Sequence, residues 1–218
     1  MHGFVGTDGR RALPRVAQII RGLEADVIAL QEVGFGAGEE NPAELVAELA
    51  GYTALAAPIE RRDGARHGNV LLTRLPVVSS RTFRLDYERH EPRTALEACL
   101  QTGGRQLRVV ATHLGLRPGE RRFQVRKLLE QVSGDAQSVT VLLGDFNEWF
   151  LMGRPLRWLH RRFGRSPAVA TFPSRFPLVA LDRIWAHPPG TLKQVRAVQT
   201  AATRVASDHL PVLGVLEV

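Results

Sequence analysis

The sequence holds a single cysteine, Cys99, so it can form neither an internal disulfide nor a cysteine-rich metal site. No apolar run approaches the roughly eighteen residues that a membrane-spanning helix needs. The best are short, such as VTVLL at 139–143. The opening MHGFVGTDGRR lacks the apolar core of an export signal, so a cytoplasmic protein without a transmembrane segment is expected. Lysine is nearly absent as well, with only Lys127 and Lys193.

What is present has globular proportions. The 218 residues are 44% hydrophobic and 23% charged, which excludes wholesale disorder and predicts one domain over 1–218. Lys and Arg total 29 against 22 Asp and Glu, a net charge of +7 that favours polyanionic partners: nucleic acid, anionic lipid surfaces or phosphorylated small molecules. Because almost all of that charge is arginine, bidentate gripping of phosphate is one reading and a solvated arginine-rich surface is the other.

Helix and strand signals alternate. LPRVAQIIRGLE at 13–24 puts Leu13, Val16, Ile20 and Leu23 on one stripe, and PAELVAELA at 42–50 opens on proline and stops before Gly51. The segment 119–132 spaces Val125, Leu128, Leu129 and Val132 as a helix, and PLRWLHRRFG at 155–164 reads as a short basic helix. Strands are predicted at 25–30, 53–57, 69–72, 94–100, 107–112, 139–143, 181–187, 195–200 and 211–218. This order suggests an α/β domain of two packed sheets covered by helices.

Polar residues gather where these apolar runs stop. Gln31 and Glu32 end VIAL, Thr112 and His113 end LRVVA, and Gly144-Asp145-Phe146-Asn147 ends VTVLL. Asp182 lies within LDRIW, and Ser207-Asp208-His209 precedes the last strand. Strand ends are where sheet proteins collect ligand-binding groups from distant parts of a chain. Singly, each residue has a structural explanation, as turn former, cap or satisfied core histidine. Together they point to one site.

The motifs LQEV (30–33), GNVLLTR (68–74), EPRTAL (91–96), THL (112–114), GDFN (144–147), LDRIW (181–185) and SDHLPV (207–212) stand in the order of a known family. The chain thereby resembles the endonuclease/exonuclease/phosphatase superfamily of DNase I-like enzymes. The resemblance implies a four-layer α/β sandwich, with two mostly antiparallel sheets face to face and helices outside, and metal-assisted hydrolysis of a phosphoester. It identifies Glu32 as the principal Mg²⁺ ligand, with Mn²⁺ able to substitute, and Asp208 as a second carboxylate near the metal. His209 is similar to the family's catalytic histidine and Asp182 to the carboxylate that holds its ring. Asp145 lies where the attacking water sits, Asn147 donates to phosphoryl oxygens, and His113 touches phosphate or leaving group. Asn69 and Arg93 match positions that face the site in many relatives; shaping a turn and pairing at the surface are their structural readings.

One departure matters. Family members open with an apolar strand leading into an Asn and a His-Gly-like turn, whereas this chain begins Met1-His2-Gly3, followed by Gly6-Thr7-Asp8-Gly9. The resemblance therefore implies that the first strand and its metal-site amide are missing and that the true start lies upstream. A shortened but weakly active protein and a catalytically dead phosphate-binding scaffold are the alternatives. The substrate is also open. Residues 148–165 interleave Trp149, Phe150, Leu151, Met152 and Trp158 with five arginines. Such a stretch suits stacking on nucleic acid, slightly favoured, peripheral seating on an anionic membrane surface with a lipid phosphoester as substrate, or plain packing of a basic helix. A monomer is expected.

Overall fold

The computed structural model describes residues 2–36, 41–61, 63–132 and 138–218; Met1 lies outside them. Its first sheet holds five strands: β4 (Val77–Arg84), β5 (Thr94–Thr102), β6 (Arg105–His113), β7 (Val139–Asp145) and β8 (Asp182–His187), in that spatial order. Neighbours pair antiparallel except β6 and β7, which are parallel. A parallel pair needs a crossover, and helix α3 (Pro118–Gln131) supplies it. The second sheet comes in two parts. The strands β1 (Val27–Phe35), β3 (Arg66–Thr73) and β2 (Thr53–Glu60) form one, in the order β1-β3-β2, and β9 (Leu192–Ala197) with β10 (Val212–Leu216) forms the other.

Alternation along the strands builds the layers. In β3, Val70 and Leu72 face helices α1 (Leu13–Leu23) and α2 (Pro42–Ala50), packing with Val16, Ile20, Val46 and Ala47. Leu71, between them, points the other way into the space between sheets, with Leu96, Val109, Val141 and Ile184. Across the first sheet, Val110 and Leu142 turn outward onto α3 and α4 (Arg154–Phe163), meeting Leu128, Leu156, Leu159 and Trp185. The result is helices, sheet, sheet, helices: the four-layer sandwich. Local chemistry supports the helices. Asn41 caps α2 by accepting from the Ala43 N–H at 3.1 Å, Pro42 starts it, and Gly51 ends it in the left-handed region.

The observed elements extend or trim the predicted ones by a few residues at their ends. β4, absent from the sequence reading, is an edge strand with nearly every side chain exposed, so it carries no core-facing alternation to detect. The four-residue helix α5 (Thr203–Ala206) was likewise too short to read.

Within the outer core, the Trp185 indole N–H donates to His160 Nδ1 at 3.1 Å. Burial holds the His160 imidazole below its ordinary value, so the neutral, accepting form belongs to the folded protein. A depressed histidine contributes stability above its unfolded value near 6.5 and loses it as pH falls through and below that value. Urea unfolding at pH 8 and pH 5.5 is therefore expected to show a larger acid loss for the wild type than for His160→Gln. Equal losses would contradict a neutral His160.

Candidate active site

Three adjacent strands end on polar residues at one edge of the first sheet. Their register pairs His113 with Asp145, and Asp145 with Asp182, so the three side chains stand side by side. Gly144 holds this approach close: its φ is 140°, and a Cβ there would overlap the Thr112 carbonyl on β6. Just beyond β7, Asn147 takes a left-handed φ of 49° and its N–H donates to Asp145 Oδ1 at 2.8 Å. This is the local turn that Asp and Asn side chains favour.

Contacts knit the ends together. The Asn147 amide donates to the Leu114 carbonyl at 2.8 Å and lies 3.1 Å from His113 Nε2. His113 Nε2 is 3.6 Å from Asp145 Oδ2, and Nδ1 is 3.3 Å from the Arg93 guanidinium. Both ring nitrogens of His113 thus face donor groups, Arg93 at Nδ1 and the Asn147 amide at Nε2, and a neutral imidazole accepts at one of them only. From the far end of the chain, His209 Nδ1 meets Asp182 Oδ2 at 2.8 Å, and the same oxygen accepts from the Thr171 hydroxyl at 2.5 Å. The Phe172 ring packs 4.9 Å from His209, and Trp149 packs 6.0 Å from Phe172.

Glu32 arrives from the second sheet. The β1–β3 register shifts between Leu30 and Val33, and Glu32 sits in that irregularity with a left-handed φ of 56°. A bulge re-aims a side chain, here to within 4.0 Å of His113 Nδ1. Asp208 lines the same cavity of about 700 Å³ as Glu32, Arg93, His113, Asp145, Asn147, Asp182 and His209. Asn69 is buried, and its amide donates to the Thr94 carbonyl at 2.8 Å in a small pocket beside Glu32 and His113. Arg93 is buried too, paired with Glu91 at 3.0 Å.

The charges are crowded. Burial, then the neighbouring charge of Asp182, pushes the Asp145 carboxyl up to about 7. Burial pulls His209 down, but its hydrogen bond to Asp182 and that carboxylate's charge outweigh it, raising the imidazole to about 9. His113 goes the other way, held well below its ordinary value by burial and the Arg93 charge. Donor atoms of Asp145, Asp182 and His209 lie within 4.8 Å of one another, the metal-competent cluster found among the described residues. Asp182 Oδ2 already accepts two hydrogen bonds, which leaves less of that carboxylate free for a metal. An oxygen-rich set with Asp145 raised by neighbouring carboxylates, Glu32 among them, fits a hard divalent cation whose charge relieves the crowding.

The sequence reading missed several supports. Thr171 and Phe172 contact the Asp182–His209 pair from a segment without periodic pattern. Glu148, next to GDFN, forms a buried pair with Arg121 at 3.1 Å and accepts from the Phe150 N–H, fixing the loop beyond Asn147 to α3. A carboxylate directly after GDFN and an arginine in α3 were the available signal. Replacing the glycine that lets β7 approach β6 tests the frame: Gly144→Ala is expected to lower the unfolding free energy by about 3 kcal/mol or more. A loss under about 1 kcal/mol in urea unfolding would show that the strands can part without cost.

Comparison with known proteins agrees with this geometry. The Endonuclease/Exonuclease/phosphatase family matches residues 4–209. "Uncharacterized protein YbhP" of Escherichia coli (strain K12) is 31% identical over 229 residues, covering 96% of this chain and 90% of that protein. Mannosyl-6-phosphatase Bt3783 of Bacteroides thetaiotaomicron has a similar structure, with a TM-score of 0.73, 17% identity, and coverage of 92% of this chain and 88% of that one. D. rerio TDP2 complexed with a single-strand DNA product superposes with a TM-score of 0.69 and 16% identity, covering 94% and 92% of the two chains. With its strand ends, cleft and near-complete match in agreement, the chain belongs to the Endonuclease/Exonuclease/phosphatase family.

Proposed function

We propose that the protein is a divalent-cation-dependent phosphoester hydrolase acting as a single-domain monomer, with nucleic-acid phosphodiesters as its favoured substrate and Mg²⁺, replaceable by Mn²⁺, as the cation. One observation carries the reading: carboxylates, an amide and two imidazoles from distant parts of the chain line a single cavity. Glu32 and Asp208 would hold the cation, since both line the cavity and their oxygens are hard donors. When bound, the cation offsets charge on the phosphoryl group and leaving oxygen. Asp145 orients the attacking water in line with the leaving group. Asn147 and His113 direct N–H groups at the phosphoryl oxygens, and the buried Arg93 adds positive charge beside Asn69 at the phosphate end. Asp182 fixes the His209 ring through Nδ1, leaving Nε2 to carry a proton during the displacement.

Nucleic acid is favoured by the net charge of +7 and by likeness to TDP2, whose structure holds a single-strand DNA product. A second reading, a lipid phosphoester cleaved at an anionic surface, draws on a different observation. Trp149, Phe150, Leu151, Met152, Phe176 and Leu178 are all exposed, Phe150 at 71% and Leu178 at 81%, in segments flanking the Phe172–His209 contact. Apolar groups raised around a cleft suit insertion among headgroups as well as stacking on bases.

Purified protein with Mg²⁺ is expected to cleave bis(p-nitrophenyl) phosphate and single-stranded DNA, with DNA affinity falling steeply as salt rises. EDTA should abolish turnover. His209→Ala should lower kcat by roughly 10²–10⁴-fold, and Glu32→Gln should raise the Mg²⁺ concentration needed for half-maximal rate. Headgroup release from anionic vesicles with DNA left intact would select the lipid reading. Undiminished turnover in EDTA would overturn both.

A further inference from the structure

The net charge of +7 is not spread evenly over the chain. Of its 29 arginines and lysines and 22 carboxylates, the stretches 118–131 and 154–165, which are α3, α4 and the two residues after it, hold nine and two. The remainder of the chain balances, so a general arginine habit of the sequence does not account for the excess. Of the two glutamates, Glu120 is buried and bonded to Gln124, which leaves Glu130 as the carboxylate these stretches expose. Arg121 is neutralised by the buried Glu148. Among the described residues, Arg122, Arg126, Arg154, Arg157, Arg161 and Arg165 form no ion pair with a carboxylate.

The two helices present these charges together. Arg154, Arg157 and Arg161 stand at i, i+3 and i+7, on one face of α4, and all three are exposed. The other face, with Leu156, Leu159 and Phe163, is buried in the outer core beside Leu128 of α3. Arg126 reaches across from α3, its guanidinium 5.8 Å from the Trp158 ring, and so joins the charged faces of the two helices. Arg122 with Arg126, and Arg157 with Arg161, are like-charge pairs one turn apart, and Arg154 opens α4 with no acidic residue in the first turn. Each of these weakens an isolated helix, and each is relieved by negative charge brought from outside.

We propose that the outer face of α3 and α4 is an accessory binding site for the sugar-phosphate backbone of a nucleic acid, separate from the cleft. Both helices start near the strand ends that carry the site, α3 after His113 and α4 after Asn147, so the face leads away from the cleft. Ten helical residues make α4 about 15 Å long. That length spans about four phosphates of one strand at about 3.4 Å each. Arginine suits them, because its planar fork matches phosphate oxygens. Chemistry also decides against a membrane. A helix seated among headgroups turns an apolar side to the lipid, whereas the apolar side of α4 is in the core. Among the described residues, the large exposed hydrophobic side chains all lie outside both helices. Contacts of this kind go to phosphate, so binding is independent of base sequence. The inference goes beyond the hydrolysis proposed for the cleft and does not need it, because binding is read without turnover.

The test measures the affinity of the full chain for a fluorescein-labelled oligothymidylate in EDTA, over about 50 to 200 mM salt. One variant combines Arg154→Gln, Arg157→Gln and Arg161→Gln. Its control combines Arg21→Gln, Arg105→Gln and Arg196→Gln, which removes the same charge from exposed positions elsewhere. The α4 variant is expected to bind about tenfold or more weakly at low salt. Its slope of log K against log salt should be shallower by about 2, the value for three phosphate contacts on a single strand. The control should lose less than about threefold. Arg122→Gln with Arg126→Gln, on α3, gives an independent reading, with a slope shallower by about 1.4. Turnover of bis(p-nitrophenyl) phosphate, which is too small to reach the face, should stay at the wild-type rate in every variant. Equal losses in the α4 variant and the control, unchanged slopes in both helix variants, or capture by phosphatidylserine vesicles with no affinity for DNA would each overturn the proposal.

Discussion

β6, β7 and β8 reach the cleft in register, with His113 beside Asp145 and Asp145 beside Asp182. A slip of one residue in either pairing would turn a site group to the opposite face of the sheet. The alternation that buries Leu142 against the outer helices and Val141 against the second sheet forbids that slip, because it would also drive the core face outward. The site's precision is thus inherited from packing some distance away. Gly144 contributes by letting the β7 main chain lie against Thr112 without a side chain between them.

On this frame the remaining groups are delivered by irregular backbone. Glu32 and Asn147 both adopt left-handed conformations that cost side-chain-bearing residues free energy, and both sit at the cleft. Regular strand geometry would aim them elsewhere. The same crowding that lifts the Asp145 carboxyl and the His209 imidazole gives the cleft its chemical asymmetry: an anionic floor shared among carboxylates, beside an Arg93–His113 pair that favours negative charge arriving from outside. A cation and a phosphate complete such a surface in complementary ways.

Much of this was legible in the residues. The stripes of α1 and α2, the continuous apolar runs of β6 and β7 and the polar residues at their ends follow from burial on fixed periods, so the sandwich and the membership of the cleft could be read. β4 could not, because an exposed edge strand has no buried face to pattern. Thr171 and Phe172 could not, because their roles depend on a segment folding back onto Asp182 and His209, a contact with no local signature.

The central claim is that side chains from separate strands act as one catalytic unit. Groups that act as a unit show non-additive losses, whereas independent contributors multiply. The direct measurement is kcat/KM for Asp145→Ala, His209→Ala and the double variant, on one phosphodiester at fixed Mg²⁺. The account predicts that the double variant is no slower than the worse single variant by more than about threefold. Losses that multiply across the two positions would contradict it.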